Sequence, residues 1–271
     1  MASNALVGIV ANPASALDIR RLVADGSAVT TNHKINVLRR VLAGLAGVGV
    51  ERVLSMTDFG DISGGIESLS RGPAGARWPK LDFVEHAITQ SAVDTTAAVK
   101  AMAESEVDAI VVLGGDGTNK VVAAECGDIP LASISTGTNN AFPSSIEPTV
   151  VGMATALVAT GRVSREDATH RCKAMTVSTG DHCTRGLVDV AIIDDDKPGS
   201  GAVWDAANIV ELFLCFAETQ AVGLSSIGAH VQPVGRNDPF GLHIRIGSPR
   251  VVRVRVPLAP GLLSDVDIAE V

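Results

Sequence analysis

Aromatic residues are scarce in this sequence, and tyrosine is absent altogether. Phe, Trp and Tyr make up 3% of the 271 residues, although hydrophobic residues reach 46%. Much of the apolar material is Ala and Val, so the core depends on close packing of backbone elements more than on large side chains. The length suits one large domain or two moderate ones, because single cores stop growing at about 250–300 residues.

Basic clusters, long apolar runs and cysteine pairs are missing as well. The formal net charge is −8 with no basic block, which argues against nucleic acid as a partner, since that binding relies on neutralising phosphates. No apolar stretch approaches the roughly 20 residues that span a bilayer, and the N-terminus does not read as a signal peptide. The four cysteines form no C-x-x-C pair, as expected in a reducing compartment. The sequence predicts a cytoplasmic protein without a membrane partner.

The first half of the sequence alternates short apolar runs with helical patterns. Leu6 to Ala11 is almost uniformly apolar and stops at Asn12-Pro13, as expected for a strand buried on both faces. A helical repeat follows and is closed by Gly47 and Gly49. Further strands are predicted at 52–56, 81–84, 109–113 and 131–135. This alternation predicts a parallel sheet with right-handed crossovers and helices on both faces.

Two of the connections in this half have their own signals. Residues 57–80 are rich in Gly, Ser and Asp and are predicted to form a long loop, of a length that is usually functional or mobile. Asp94 is predicted to cap a helix that runs to about Ser105.

The pattern changes toward strands after about Ile146. One helix is predicted from Pro148 to about Thr160 and another from about Val203 to Glu218, and strands are predicted at 175–178, 186–193, 242–246 and 251–256. The sequence therefore predicts an α/β protein of two domains. Residues 1–146 form a Rossmann-like domain, and residues 147–271 form a mainly antiparallel β-rich domain.

The most informative segment follows the strand predicted at 109–113. In Gly114-Gly115-Asp116-Gly117-Thr118, three glycines flank one carboxylate, and glycines let backbone N–H groups approach a phosphate closely. The helix that follows offers its positive end to the same anion. Asp116 could hold Mg²⁺ against phosphate oxygens or accept a proton from an attacking hydroxyl. The alternative is an ordinary type I′ or II′ turn, in which Gly-Asp-Gly is common.

A second polar segment, Ser135 to Asn140, follows the next predicted strand. Thr136 and Thr138 offer hydroxyls to phosphate oxygens, while Asn139 and Asn140 offer donors and acceptors to ribose hydroxyls or an adenine edge. Both segments open at the carboxyl edge of the sheet, where ligands bind in open α/β folds. The alternative is a cluster of helix N-cap residues before Phe142-Pro143.

Two possible metal sites are weaker. His170, Cys172, His182 and Cys183 flank a predicted hairpin, but their spacing matches no structural zinc pattern. Residues 194–196 are three successive aspartates, which are more typical of a solvated turn. Neither group is predicted to bind a metal.

The paired motifs GGDGT and TGTNN-x-FP resemble the signature of the NAD-kinase superfamily, which also includes diacylglycerol and sphingoid-base kinases. The opening Ala11-Asn12-Pro13-Ala14-Ser15, followed by residues 18–23, is similar to that of the acetoin-catabolism X proteins, as are residues 203–205, 211–213 and 221–227. The resemblance implies an NAD-kinase/phosphofructokinase-like α/β domain followed by a β-sandwich-like domain. It also implies a kinase that uses ATP and Mg²⁺, with NAD as a possible acceptor, and a homo-oligomer, a dimer by analogy.

The resemblance further implies roles for individual residues. Asp116 would be the catalytic carboxylate. The cofactor-binding residues would be Asn12, Gly114, Gly115, Gly117, Thr118, Thr136, Gly137, Thr138, Asn139 and Asn140. The chain departs from the family at Ala16, where the opening motif commonly has Gly. Two alternatives follow, a nucleotide-binding accessory or sensor protein without catalysis and a lipid kinase that shares GGDGT.

Overall fold

A computed structural model of the chain describes residues 4–15, 25, 29–137, 140–194, 203 and 205–271, without the side chains of residues 179, 182 and 184. These residues form two compact units. The first unit contains residues 4–15, 29–136 and 143–170; the second contains residues 25, 137, 140–142 and 171–271 as far as they are described. The division differs from the predicted one at residue 146, because residues 147–170 lie in the first unit. No helix among the described residues is long and apolar enough to cross a membrane.

The first unit is built on a five-stranded parallel sheet, as the sequence predicts. The strand order is β3-β2-β1-β4-β5. The strands are β1 (Leu6–Ala11), β2 (Arg52–Ser55), β3 (Lys80–Phe83), β4 (Ala109–Gly114) and β5 (Leu131–Ser135).

Helices cover both faces of this sheet. They are α1 (Thr31–Val48), α2 (Ile62–Ser70), α3 (Ala92–Glu104), α4 (Asp116–Glu125), α5 (Pro148–Ala159) and α6 (Arg165–Ala168). Alternate residues of β4 point to opposite faces, as the pleat of a strand requires. Val111 and Leu113 join a core with apolar residues of α1 and α2, whereas Ile110 and Val112 join a second core with residues of α3 and α4.

Two glycines bring α1 and α5 unusually close together. An added Cβ at Gly44 would collide with the backbone carbonyl of Thr149, and one at Gly152 would collide with the carbonyl of Val41. Because backbone cannot move aside as a flexible side chain can, this contact tolerates no larger residue. Gly47 lies in the same α1, where an added Cβ would meet nothing within 4 Å.

We expect Gly44→Ala to lower the free energy of unfolding by about 1–3 kcal/mol, as overpacking of a core does. The matched variant Gly47→Ala should raise it by about 0.5–1 kcal/mol, because Ala loses less conformational freedom than Gly in a helix. Urea denaturation of both variants and the wild type measures the two effects. Equal stability of the two variants would contradict the close contact between α1 and α5.

The second unit contains a five-stranded antiparallel sheet of order β11-β12-β10-β9-β8 and a hairpin of β6 and β7. Its elements are β6 (Met175–Thr179), β7 (His182–Gly186), β8 (Asp189–Ile193), β9 (Ile209–Leu214), α7 (Leu224–Ala229), β10 (Leu242–Ile246), β11 (Val252–Ala259) and β12 (Leu262–Glu270). The core of this unit includes Leu212, Ile227 and Ile244, which are fully buried. The predicted antiparallel architecture of the C-terminal part is confirmed.

Three local predictions are wrong. The predicted helix over Val203 to Glu218 is instead the short 3₁₀ turn Ala206–Asn208 followed by β9, whose backbone pairs with β8 and β10. The predicted loop at 57–80 contains α2 and the 3₁₀ turn Gly75–Arg77. Asp94 does not cap α3: Ser91 does, while the buried Asp94 carboxylate accepts bonds from the backbone of Thr89 and Gln90.

Candidate functional site

Loops after three neighbouring strands meet at the carboxyl edge of the parallel sheet. The strand order reverses direction between β1 and β4, which makes this the switch point where open α/β sheets bind ligands. Asn12 follows β1, Gly115 follows β4 and Thr136 follows β5. The predicted site residues of the first unit therefore lie at the ends of adjacent strands, in the loops that follow them or in the first turn of the helix after β4.

The GGDGT segment is a strand-to-helix junction. β4 ends at Gly114, α4 begins at Asp116, and Gly115 between them is extended, with φ −99° and ψ −168°. The alternative of an isolated hairpin turn is therefore wrong. Gly115 has no side chain that could accept bonds from the first-turn N–H groups, so a ligand oxygen can take that place. The positive end of the helix dipole favours an anion at the same point.

The glycines of this motif have different environments. An added Cβ at Gly114 would overlap the side chain of Thr118, which is itself buried. At Gly117, in the first turn of α4, an added Cβ would meet nothing within 4 Å. The missing side chain of Gly114 therefore makes room for Thr118, whereas that of Gly117 leaves the helix N-terminus open to an approaching molecule.

Polar side chains join the three loops to one another. Asn12 donates from Nδ2 to Thr118 Oγ1 at 2.8 Å, and its Oδ1 accepts the N–H of Ala14 at 2.9 Å. The hydroxyls of Ser15 and Thr136 lie 3.0 Å apart, within hydrogen-bonding distance. These contacts bring Asn12, Thr118 and Thr136 together, and Ser15 is an addition that the sequence did not reveal as a site residue.

A buried asparagine, Asn119, holds the first turn of α4 in place through two side-chain hydrogen bonds. Asn119 is fully buried, and its Nδ2 donates to the carbonyl of Gly115 at 2.9 Å while its Oδ1 accepts from Ser133 Oγ at 2.6 Å. This pair ties the helix N-terminus to β5 across the sheet edge. Asp116, the predicted catalytic residue, is half-buried at the first position of the helix so anchored.

A buried lysine supports the loop after β1. The side chain of Lys34 on α1 donates from Nζ to the carbonyls of Asn12, Pro13 and Ser15, at 3.0, 2.7 and 3.0 Å. Burial lowers the pKa of Lys34 to about 8, against the opposing influence of the Asp58 carboxylate. The sequence analysis did not predict this residue. Its signal is that Lys34 occupies a position on the apolar face of α1, one turn before Val37 and Leu38.

The remaining predicted residues belong to the second unit or lie outside the described chain. Gly137 and Asn140 belong to the second unit, whereas Thr138 and Asn139 lie outside the described residues, as does Ala16. The segment around Asn140 is held within the second unit by Arg236. Its guanidinium donates to the carbonyls of Phe142 (2.8 Å) and Ala141 and to the carboxylate of Glu218.

No group of three or more His, Cys, Asp or Glu side chains that could hold a metal ion occurs among the described residues. Asp195 and Asp196 lie outside them. Lys120 is exposed on the surface of α4.

The fold is an α/β domain in which a helix begins directly after a central strand of a parallel sheet, at the sheet edge where open α/β folds bind ligands. A family model described as the ATP-NAD kinase N-terminal domain matches residues 7–163, more than half of the chain. A second model, the acetoin catabolism protein X C-terminal domain, matches residues 173–271. The chain therefore belongs to the ATP-NAD kinase family, in the branch that carries the acetoin catabolism protein X C-terminal domain. The acetoin catabolism protein X of Cupriavidus necator is 39% identical over 97% of this chain and 76% of the relative.

Proposed function

We propose that the protein is a cytoplasmic kinase that transfers the γ-phosphoryl group of ATP to a hydroxyl of NAD or a related small acceptor, in the context of acetoin catabolism. The observation that carries this proposal is the junction of β4 and α4. It combines a helix N-terminus whose cap has no side chain, an open approach at Gly117 and a half-buried carboxylate at Asp116. Phosphoryl transfer needs anion positioning together with a group that orients the nucleophile, and this junction offers both.

The residues present fit a polyphosphate donor. The first-turn N–H groups of α4 would hold phosphate oxygens, and the space beside Gly117 admits them without a clash. Thr118 and Asn12, already bonded to each other, would border the same oxygens. Magnesium bound to the phosphates would neutralise their charge, with Asp116 as the nearby carboxylate ligand or base.

Asp116 would act on the acceptor. As a base it would accept the proton of the acceptor hydroxyl while the hydroxyl oxygen bonds to the γ-phosphorus and the bond from that phosphorus to the bridging oxygen breaks, releasing ADP. Its position on a helix start tied to β5 through Asn119 and Ser133 fixes the carboxylate relative to the phosphate site. Asn139 and Asn140 are proposed to bind the nucleoside part of the acceptor. Homodimer formation likewise remains a prediction.

A second candidate is a nucleotide-binding accessory protein without turnover. The observation that favours it is Ala16, which stands where the related opening motif commonly has Gly. Such a protein would bind nucleotide at the same helix N-terminus but release it unchanged.

Ligand-dependent thermal unfolding together with a product assay separates these candidates. We expect ATP-Mg²⁺ and NAD each to raise the melting temperature, since a ligand at about 100 times its Kd adds about 2.7 kcal/mol of stability. Incubation with both should then yield NADP and ADP. Stabilisation without product would favour the accessory protein or a different acceptor, and no stabilisation by any nucleotide would overturn the proposal.

A further inference from the structure

Lys34 is the largest fully buried side chain of the described chain that carries a charge, with 1% of its surface exposed. An ammonium group has three N–H donors, and the structure supplies three carbonyl acceptors within 3.0 Å. All three carbonyls belong to the loop after β1, at Asn12, Pro13 and Ser15. Lys34 thus supplies a donor to the backbone carbonyls of three of the four residues in this loop.

The residues that Lys34 holds are those that reach the other two loops. Asn12 bonds to Thr118 on α4, and Ser15 lies within bonding distance of Thr136 after β5. A change in the path of the loop at 12–15 would therefore shift both links. Through its backbone contacts Lys34 acts on side chains placed around the proposed phosphate site without touching that site itself.

We propose that Lys34 is a positioning residue that keeps the three ligand-binding loops in the relative positions needed to bind a polyphosphate ligand. This inference rests on the proposed function, since it assumes that the loops bind the phosphates of a nucleotide. It adds to that function a residue on a helix outside both signature motifs.

Burial of this lysine is a poor way to stabilise the fold. Removing an ammonium group from water is costly, and its bonds to neutral carbonyls repay only part of that cost. An apolar side chain of similar length would fill the same space without desolvating a charge, and this gain offsets the cost of about 1–3 kcal/mol for each buried carbonyl that loses its donor. The contribution of Lys34 is therefore expected in loop geometry and ligand affinity, and not in the stability of the protein.

The charged groups around Lys34 are few among the described residues. The loop at 12–15 carries no ionisable side chain. From the loop after β2, the Asp58 carboxylate acts on the ammonium while it also accepts the N–H groups of Ile62 and Ser63 at the start of α2. Above about pH 8 the amine becomes neutral and keeps two N–H donors for three carbonyls. Loop order, and with it affinity for a polyphosphate, should decline in that range.

The same titration lowers the expected ligand affinity as the pH rises but increases the contribution of Lys34 to the free energy of unfolding. The pKa of Lys34 falls from 10.5 in the unfolded chain to about 8 in the folded one. Between these values the unfolded chain binds more protons than the folded chain, so the contribution of Lys34 to the free energy of unfolding rises with pH. A loss of affinity at high pH therefore cannot be ascribed to unfolding caused by this residue.

The test compares the wild type, Lys34→Met and the control Lys100→Met, which removes the same charge from an exposed position of α3. Calorimetric titration at pH 7 with ATP-Mg²⁺ and with inorganic tripolyphosphate gives the affinities. We expect Lys34→Met to weaken both by about 10- to 100-fold, as the loss of other residues that orient binding groups does. Lys100→Met should bind like the wild type. Circular dichroism and urea denaturation should show Lys34→Met folded, with a stability close to that of the wild type.

A pH series then separates positioning from a general structural role. From pH 7 to about 9.5 the wild type and Lys100→Met should lose affinity with a midpoint near the pKa of Lys34, whereas Lys34→Met should show a flatter profile. Wild-type affinity in Lys34→Met, or a parallel pH profile, overturns the inference and leaves the proposed function standing. If the wild type binds neither probe, the proposed function fails first, and the role given to Lys34 fails with it.

Discussion

Asp116→Asn should lower kcat for NADP formation by about 10²–10⁴-fold, the usual contribution of a general base or acid. The amide keeps the shape of the carboxyl at the start of α4 but accepts no proton from the acceptor hydroxyl. Binding of ATP-Mg²⁺ should persist, because the proposed phosphate contacts come from backbone N–H groups that the substitution leaves in place. Steady-state kinetics and calorimetric titration measure the two properties separately.

The matched control is Glu104→Gln, which makes the same carboxylate-to-amide change at an exposed position near the end of α3. It should retain wild-type kcat and affinity. Wild-type kcat in Asp116→Asn would remove Asp116 from the catalytic role. Loss of both turnover and ATP binding in that variant would instead indicate that the carboxylate acts mainly through the metal-bound donor.

Gly114→Ala should destabilise the protein by about 1–3 kcal/mol and weaken nucleotide binding, because the new methyl group would displace Thr118. Thr118 is buried and bonded to Asn12, so its displacement disturbs the link between β1 and α4. Urea denaturation and titration with ATP-Mg²⁺ measure the two effects. A fully stable Gly114→Ala protein would contradict the close packing of this glycine.

Gly117→Ala provides the comparison three residues along the same motif. Its Cβ would enter open space, so the fold should be unaffected or more stable by up to about 1 kcal/mol, the gain of Ala over Gly in a helix. Affinity for ATP-Mg²⁺ should nevertheless fall, because the methyl group would occupy the approach to the helix N-terminus. Unchanged affinity would indicate that the phosphates lie elsewhere.

The central strands β1 and β4 of the parallel sheet could be predicted well because they are buried on both faces. The apolar runs of β1 and β4 end abruptly at Asn12 and at Gly114, so sequence and structure agree on where these strands end. The helical repeat of α1 ends at Val48 with Gly49 as its C-cap, whose φ of 101° favours glycine, whereas Gly47, the other predicted closing residue, lies within the helix.

The missed elements are those whose structure depends on distant contacts. Residues 209–214 contain good helix formers such as Glu211 and Leu212, yet pairing with β8 and β10 makes them a strand. Gly64 and Gly65 disfavour a helix, but α2 forms because the Asp58 carboxylate caps it and Ile62 and Ile66 are buried. Local propensity alone contains neither piece of information.

The candidate site was predicted only as far as its motif residues. Asp116, Asn12 and Thr136 belong to recognisable segments, whereas Lys34 lies outside these segments and its only signal is its place in the apolar stripe of α1. Arg236 lies more than 90 residues from the carbonyls of Ala141 and Phe142 that it binds. A single sequence contains no indication of such a pairing.

The second unit is not a continuous piece of chain, and this limits how the protein can be divided. Its apolar cluster around Val188, Cys215 and Phe216 is completed by Ala141 and Phe142, which lie between two segments of the first unit. A fragment that starts at residue 171 would lose these side chains and would leave the guanidinium of Arg236 without two of its carbonyl partners. A single cleavage of the chain therefore cannot release both units intact. An exchange of the second unit between relatives has to transfer the segment around residues 140–142 together with the C-terminal half.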